Sequence, residues 1–298
     1  MSDYTGTRLG DRLPVRRAFL LVAVLLGLAL VLGGGTMLGA RTAAPLSAPL
    51  PVAGRTNQVC TVGTEDTDAT ASPSPDPAPT PTPEPGADLP ASTVSAVAVR
   101  QGTAAGAGRL TGAPLGASDS QLEVTEPGAG AEQPQVTGPL VLTGEGALAS
   151  AGTGAVSSSD RSGETAGLMA APCLMPGTEH WFAGVGSSDS DRTELILTNP
   201  DDAQAQVDLR FFGPQGRVVV PGSPGVTVGG RSARMVSVSS LVDAPGPLSV
   251  AVRASEGRVA VAARRIRTAE VKPAGADWQV PSVAPAPTVV VAGVPGAT

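Results

Sequence analysis

Residues Ala18 to Ala40, AFLLVAVLLGLALVLGGGTMLGA, run for 23 positions without a charged side chain, and no other stretch constrains the chain so strongly. A helix crosses the hydrocarbon core of a bilayer with about 20 mostly apolar residues, so this run is long enough to span. Arg8, Arg12, Arg16 and Arg17 precede it, whereas only the isolated Arg41 and Arg55 follow closely behind. That asymmetry keeps the N-terminus in the cytoplasm. The sequence therefore predicts a single-pass protein of the cell membrane: a cytoplasmic tail over 1–17, a transmembrane helix or signal anchor over 18–40, and the bulk of the chain outside the cytoplasm. A cleaved signal peptide is the competing reading. Such peptides have an apolar region of roughly 7 to 15 residues followed by a small-x-small site. Ala18 to Leu32 sits at the top of that range, and Thr42 with Ala44 makes a poor site because Pro45 follows. The continuation of the apolar run to Ala40 favours the uncleaved anchor.

Export bears on the two cysteines, Cys60 and Cys173, which both lie beyond the anchor. An even count in an oxidising compartment predicts a disulfide between them, closing a long loop. Two free thiols are the alternative. The net charge of -6 and the pI near 4.9 provide no basic surface for nucleic acid. Aromatic residues make up 2% of the chain, so any core must be aliphatic.

The membrane-proximal segment 41–63 leads into TEDTDATASPSPDPAPTPTPEPGADLP, a Pro-rich linker over 64–90 that favours polyproline II and buries nothing. Residues 91–159 show short apolar alternations broken by glycine. In STVSAVAVRQ, Val94, Ala96 and Ala98 share one face; SQLEVTEPG and GPLVLTGEGALAS read as further weak strands. AGTGAVSSSDRSGE reads as an exposed loop.

The clearest folded region spans 167–298. TELILTN alternates and stops at Asn199 and Pro200. AQAQVDLRFFGPQG places Ala205, Val207, Leu209 and Phe211 on one side and Gln206, Asp208 and Arg210 on the other, a half-buried strand. Gly213 to Gly216 turn into RVVV, then come GVTVGG, RSARMVSVSS with Ala233, Met235 and Val238 inward, one helical turn over Ser240 to Asp243, GPLSVAVRA and GRVAVAARRIRT. About six or seven short strands with Gly or Pro punctuation predict a mostly β protein, an antiparallel β-sandwich of immunoglobulin or fibronectin type.

Within this region CLMPGTEHWFAG, ELILTNP, AQVDLRFFGPQGRV, the strand ending SVSSL, GRVAVAARR and DWQVPSVAPAPTVVVAGVP, between Ala171 and Pro295, resemble the actinobacterial exported family DUF5719. The resemblance implies an envelope protein without an assigned activity and supplies no catalytic residues. Members of that family often continue past the VVVAGVP stretch into another strand-rich unit.

Few residues could carry chemistry. His180 is the only histidine, and no nucleophile motif accompanies it, so a structural role is the better reading. DSDRTE at Asp189 to Glu194 lacks the spacing of a calcium loop and reads as turn capping. No metal or other cofactor is implied. The expected binding surface comprises Phe212, placed opposite Phe211 by alternation, Trp278, and the arginines Arg264, Arg265 and Arg267. Against it stand a core role for Trp181 and Trp278 and an edge-protecting role for the arginines. The functional expectation is a non-enzymatic, membrane-anchored protein with a structural, binding or accessory role in the actinobacterial cell envelope. Its partners would be the membrane, through Ala18 to Ala40, and an envelope protein or cell-wall glycan. The alternative is an envelope glycan-active or hydrolytic enzyme using carboxylates.

Overall fold

The computed structural model describes residues 54–62, 91–100, 107–160, 163–242, 246, 248–269 and 272–289. The expected membrane segment 18–40 and the Pro-rich linker 64–90 lie outside these residues. Among the described residues no helix is long and apolar enough to cross a membrane.

Strands hold 63% of the described residues. In chain order they are β1 (Arg55–Cys60), β2 (Ala91–Ala98), β3 (Gly108–Pro114), β4 (Leu122–Val124), β5 (Gly130–Val136), β6 (Leu140–Gly146), β7 (Gly152–Asp160), β8 (Gly167–Pro172) and β9 (Glu179–Val185). There follow β10 (Ser187–Ser188), β11 (Asp191–Asn199), β12 (Ala205–Gly213), β13 (Gly216–Val218), β14 (Val226–Val228), β15 (Ser232–Ser237), the helical turn α1 (Val238–Leu241), β16 (Leu248–Glu256), β17 (Ala260–Ala269) and β18 (Lys272–Gln279). They form four small antiparallel sheets set as the blades of a propeller-like ring. Sheet I has the order β1-β6-β3-β4 and sheet II the order β5-β2-β7-β8. Sheet III runs β10-β11-β17-β18 with β15 added on β11, and sheet IV runs β13-β12-β16-β9 with β14 added on β12.

This arrangement overturns the β-sandwich expected from the strand pattern. A sandwich strand buries one face, but β11 buries both. Leu195 and Leu197 enter a core shared by sheets III and IV, while Ile196, between them, enters the core of sheets I and II together with Ala262 and Trp278. Sheet III therefore serves two cores, and the alternation of TELILTN reports only one of them. Nor does 167–298 stand alone, because β8 is the edge strand of sheet II, paired with β7 from Ala155↔Pro172 to Asp160↔Gly167.

The segment expected to be a loop, GTGAVSSSD, is β7, which lies between β2 and β8. Its glycines answer a packing demand. A Cβ on Gly154 would lie 2.3 Å from Leu142 Cδ1 and 2.9 Å from Cys173 Sγ, and one on Gly152 would lie 2.8 Å from Leu110 Cδ1. Hydrogen on these α-carbons is what lets sheet II approach sheet I.

Elsewhere the alternation holds. Val94, Ala96 and Ala98 are buried together, as are Ala205, Val207, Leu209 and Phe211; Ala233 and Val238 face inward, whereas Met235 is only half-buried. The helical turn falls two residues earlier than expected, at Val238–Leu241.

Cys60, at the end of β1, and Cys173, just after β8, form the expected disulfide with their Cα atoms 4.1 Å apart. Beside it, Val59 and Leu174 exchange two backbone hydrogen bonds of 2.8 Å. Closing a loop of 113 residues stabilises the fold by about 4–5 kcal/mol in the chain-entropy picture. Denaturant titration of a Cys60→Ala/Cys173→Ala variant, or of the reduced protein, is expected to show a loss of about this size. Ile196→Ala is expected to cost about 2–5 kcal/mol, since it opens a void in the core of sheets I and II.

Candidate functional site

Sheet IV turns one face to the core and the other outward. The inward set is Phe182 on β9, Val250 and Val252 on β16, and Leu209 and Phe211 on β12. The intervening residues therefore share the outer face, and the register sets them in rows. One row runs Trp181, Ala251, Arg210; the next runs Ala183, Ser249, Phe212, Arg217; and Glu179, Arg253 and Asp208 make a third.

Trp181 and Phe212 come from the two strands that flank β16. Their rings stack with centroids 5.5 Å apart and planes inclined by 30°. The small residues Ala251 and Ser249 between them make room for this, and Ala251 is only 1% exposed although it lies on the outward face. Both rings remain half-exposed. An aromatic pair left in water at this cost in apolar exposure offers two π-faces to a ligand.

Charged groups rim the rings. Trp181 Nε1 donates to Glu179 Oε1 at 2.9 Å, and Arg253 donates to the other oxygen at 3.3 Å. The hydrogen bond from the indole and then that from Arg253 hold the Glu179 carboxyl below its ordinary pKa. Glu179 is thereby kept ionised and fixes the indole plane. The backbone of Trp181 is fastened as well: Ser282 donates to its carbonyl through its amide at 2.7 Å and through its hydroxyl at 3.1 Å. The chain after β18 thus covers the outer edge of β9.

The structure divides the residues expected to form one binding surface. Phe212 stands on this face, but Trp278 is buried beside Ile196 and Ala262 in the core of sheets I and II. Arg264 and Arg265 point to opposite sides of sheet III, as strand alternation requires. Arg264 is held by Glu194, with nitrogen to oxygen distances of 2.6 and 2.8 Å, and Arg265 grips Asp191 through both of its carboxylate oxygens, one at 2.7 Å. Arg267 is exposed next to them. The acidic run Asp189 to Glu194 therefore supplies counter-ions to these arginines. Among the described residues no group of three or more His, Cys, Asp and Glu gathers to hold a metal. His180 is buried, with Nε2 2.8 Å from the carbonyl of Val259; burial lowers its pKa, so the ring is neutral and ties β9 to the start of β17.

Trp181 is the site residue that strand reading passed over. EHWFAGV alternates, and phasing it on the buried Phe182 puts Trp181 outside.

A family model described as a family of unknown function, DUF5719, matches residues 124–298, more than half of the chain. The chain belongs to the DUF5719 family. The matched part of this DUF5719 protein takes in β5 to β18, including both stacked rings and Cys173 but not Cys60, and it begins upstream of the Ala171 to Pro295 stretch that carries the resemblance. No curated protein and no solved structure matches the chain.

Asp191 and Asp201 are both held below the ordinary carboxylate pKa, first by hydrogen bonds from Arg265 and Arg258 respectively. A depressed carboxyl stabilises the fold above its unfolded value, near pH 4, and that contribution is lost as pH falls through the lower folded value. Unfolding measured from pH 5 to pH 2 is expected to be less pH-dependent in Asp191→Asn than in the parent, with a difference below about 1 kcal/mol because the pair is partly solvated.

Proposed function

We propose that this chain is a non-enzymatic, membrane-anchored protein of the actinobacterial cell envelope whose exported part binds cell-wall glycan through the outer face of sheet IV. The stacked Trp181 and Phe212 carry the reading. Flat aromatic rings suit the C–H faces of pyranose rings, and the charged rim of Arg210, Arg217, Arg253 and Glu179 suits hydroxyls and acidic substituents at the edges of a sugar. The Cys60–Cys173 disulfide supports an oxidising, extracytoplasmic setting, in keeping with the arginines placed before Ala18. Residues 64–90 fall between β1 and β2, so the stretch of chain between Ala40 and the first strand is 41–54.

Glu179 speaks for binding over the alternative, a glycan-active or hydrolytic enzyme. A glycosidase acid needs a raised pKa and a second carboxylate across a cleft. Glu179, the carboxylate nearest the rings, is instead held ionised by its hydrogen bonds.

The test is retention of the full chain, in detergent, on isolated cell-wall polysaccharide. Trp181→Ala and Phe212→Ala are each expected to reduce retention about tenfold or more while leaving the melting temperature within a few degrees. Undiminished retention in the double variant, with the disulfide intact, would refute the proposal. Release of reducing sugar from the polysaccharide by the parent protein would move the case to the enzyme.

A further inference from the structure

We infer that the outward face of sheet I is a second binding site, separate from the stacked rings, for a saccharide that carries an oxyanion. The face is built from two rows across three strands. Arg55, Glu145 and Arg109 are in register from β1 through β6 to β3, and Asn57, Thr143 and Thr111 form the next row. These six residues floor a cleft of about 370 Å³, a size within the usual range of small-molecule sites. The loop after β3 makes one wall, and Arg231, on the turn between β14 and β15, lies against that loop beside Gly116. A second cleft of about 410 Å³ adjoins it and shares Pro114, Leu115 and Arg231.

Three guanidiniums line the first cleft. Glu145 accepts from Arg109 at 2.8 Å and also faces Arg55 at 3.8 Å, and Glu123, in register with Thr111 at the end of the second row, adds a further negative charge acting on Arg109. Arg231 is paired with Asp202, whose side chain is 78% exposed, and such a pair exchanges readily in water. An incoming carboxylate or phosphate would find Arg231 able to donate in bidentate fashion. Beside the arginines, the second row supplies polar groups without charge. The Thr143 hydroxyl donates to Asn57 Oδ1 at 3.2 Å, which leaves the Asn57 amide nitrogen as a donor for a ligand hydroxyl.

Backbone geometry points to the same place. Among the described residues, the two non-glycine residues with positive φ are Gln135, at 56°, and Arg231, at 52°, and both line the second cleft. Left-handed backbone at a side-chain-bearing residue is unfavourable and concentrates at functional sites. The amide of Arg231 donates to the Asp201 carbonyl at 2.8 Å, and Gly230 before it sits so close to Asp202 that a Cβ would lie 1.9 Å from the Asp202 carbonyl oxygen. The turn is thus locked in the form that presents Arg231 to both clefts.

The experiment is titration of the full chain in detergent with glucuronate, glucose 6-phosphate, inorganic phosphate and glucose, followed by ligand-observed NMR. Glucuronate and glucose 6-phosphate are expected to bind at least tenfold more tightly than glucose and to weaken as sodium chloride is raised. The tighter of the two identifies the preferred oxyanion. Arg231→Gly removes the guanidinium while suiting the positive φ, so the fold should melt no earlier than the parent, and binding of both anions should fall about tenfold. Arg109→Gln should act in the same direction. The Trp181→Ala/Phe212→Ala variant should bind these anions as the parent does, which keeps this site distinguishable from the ring face. Absence of binding by both sugars up to about 10 mM, equal binding of glucose, phosphate binding as tightly as glucose 6-phosphate, or unchanged affinity in Arg231→Gly would each overturn the inference.

Discussion

Water reaches neither face of the middle of sheet III, and the rest of the structure depends on that exclusion. Leu195, Leu197, Val261 and Ala263 look one way, and Ile196, Ala262 and Trp278 the other. Most polar groups on that strand are satisfied near its ends, although the buried Thr198 hydroxyl has no hydrogen-bond partner among the described residues. Asn199 is one that is satisfied: its amide donates to the carbonyls of Ala203 and Gly229 at 2.7 and 2.9 Å, and its oxygen accepts from the Asp201 amide at 3.0 Å. Glu194 and Asp191, toward the start of β11, are matched by Arg264 and Arg265. The doubly covered strand is bounded by a capped corner at one end and ion pairs at the other.

Small side chains make this crowding possible. Aliphatic cores with few aromatic residues bury less area per residue, and the chain compensates by close approach, with glycines at 152 and 154 and alanines along β17. Among the described residues the two phenylalanines that are fully inside, Phe182 and Phe211, belong to the core of sheets III and IV. Apart from the buried Trp278, the other aromatic rings among the described residues, Trp181 and Phe212, are their immediate chain neighbours. Strand alternation thus determines which member of each adjacent aromatic pair stiffens the core and which faces solvent.

Much of this could be read from the residues. The period-two pattern of Ala205 to Phe211 identified β12 and its buried side, and it placed Phe212 outside. The two cysteines identified their own bridge. What escaped was non-local. Nothing in TELILTN says that Ile196 will be covered by a core assembled from residues 60–173, so a second buried face was invisible. GTGAVSSSD looked like a loop because glycine and serine favour turns, and only the nearness of Leu142 and Cys173 explains why Gly154 must be small. Asp191 and Arg265 lie 74 positions apart, so the run holding Asp191 read as turn capping and Arg265 as part of a binding surface rather than as partners. The cleft over sheet I draws its residues from β1, β3, β6 and a turn near Arg231, a set that no local motif connects.

The position of the disulfide has a mechanical meaning. A load applied through the chain upstream of Arg55 enters the fold at β1 and meets Cys60 at that strand's far end. From there the covalent path leads straight to Cys173, bypassing every residue between them. Strands β2 to β8 are therefore excluded from the load path, and stretching can lengthen the fold only through β1 and the segment after Cys173. The residues between the two cysteines are shielded from extension for as long as the bond stays oxidised, and reduction would turn them into slack.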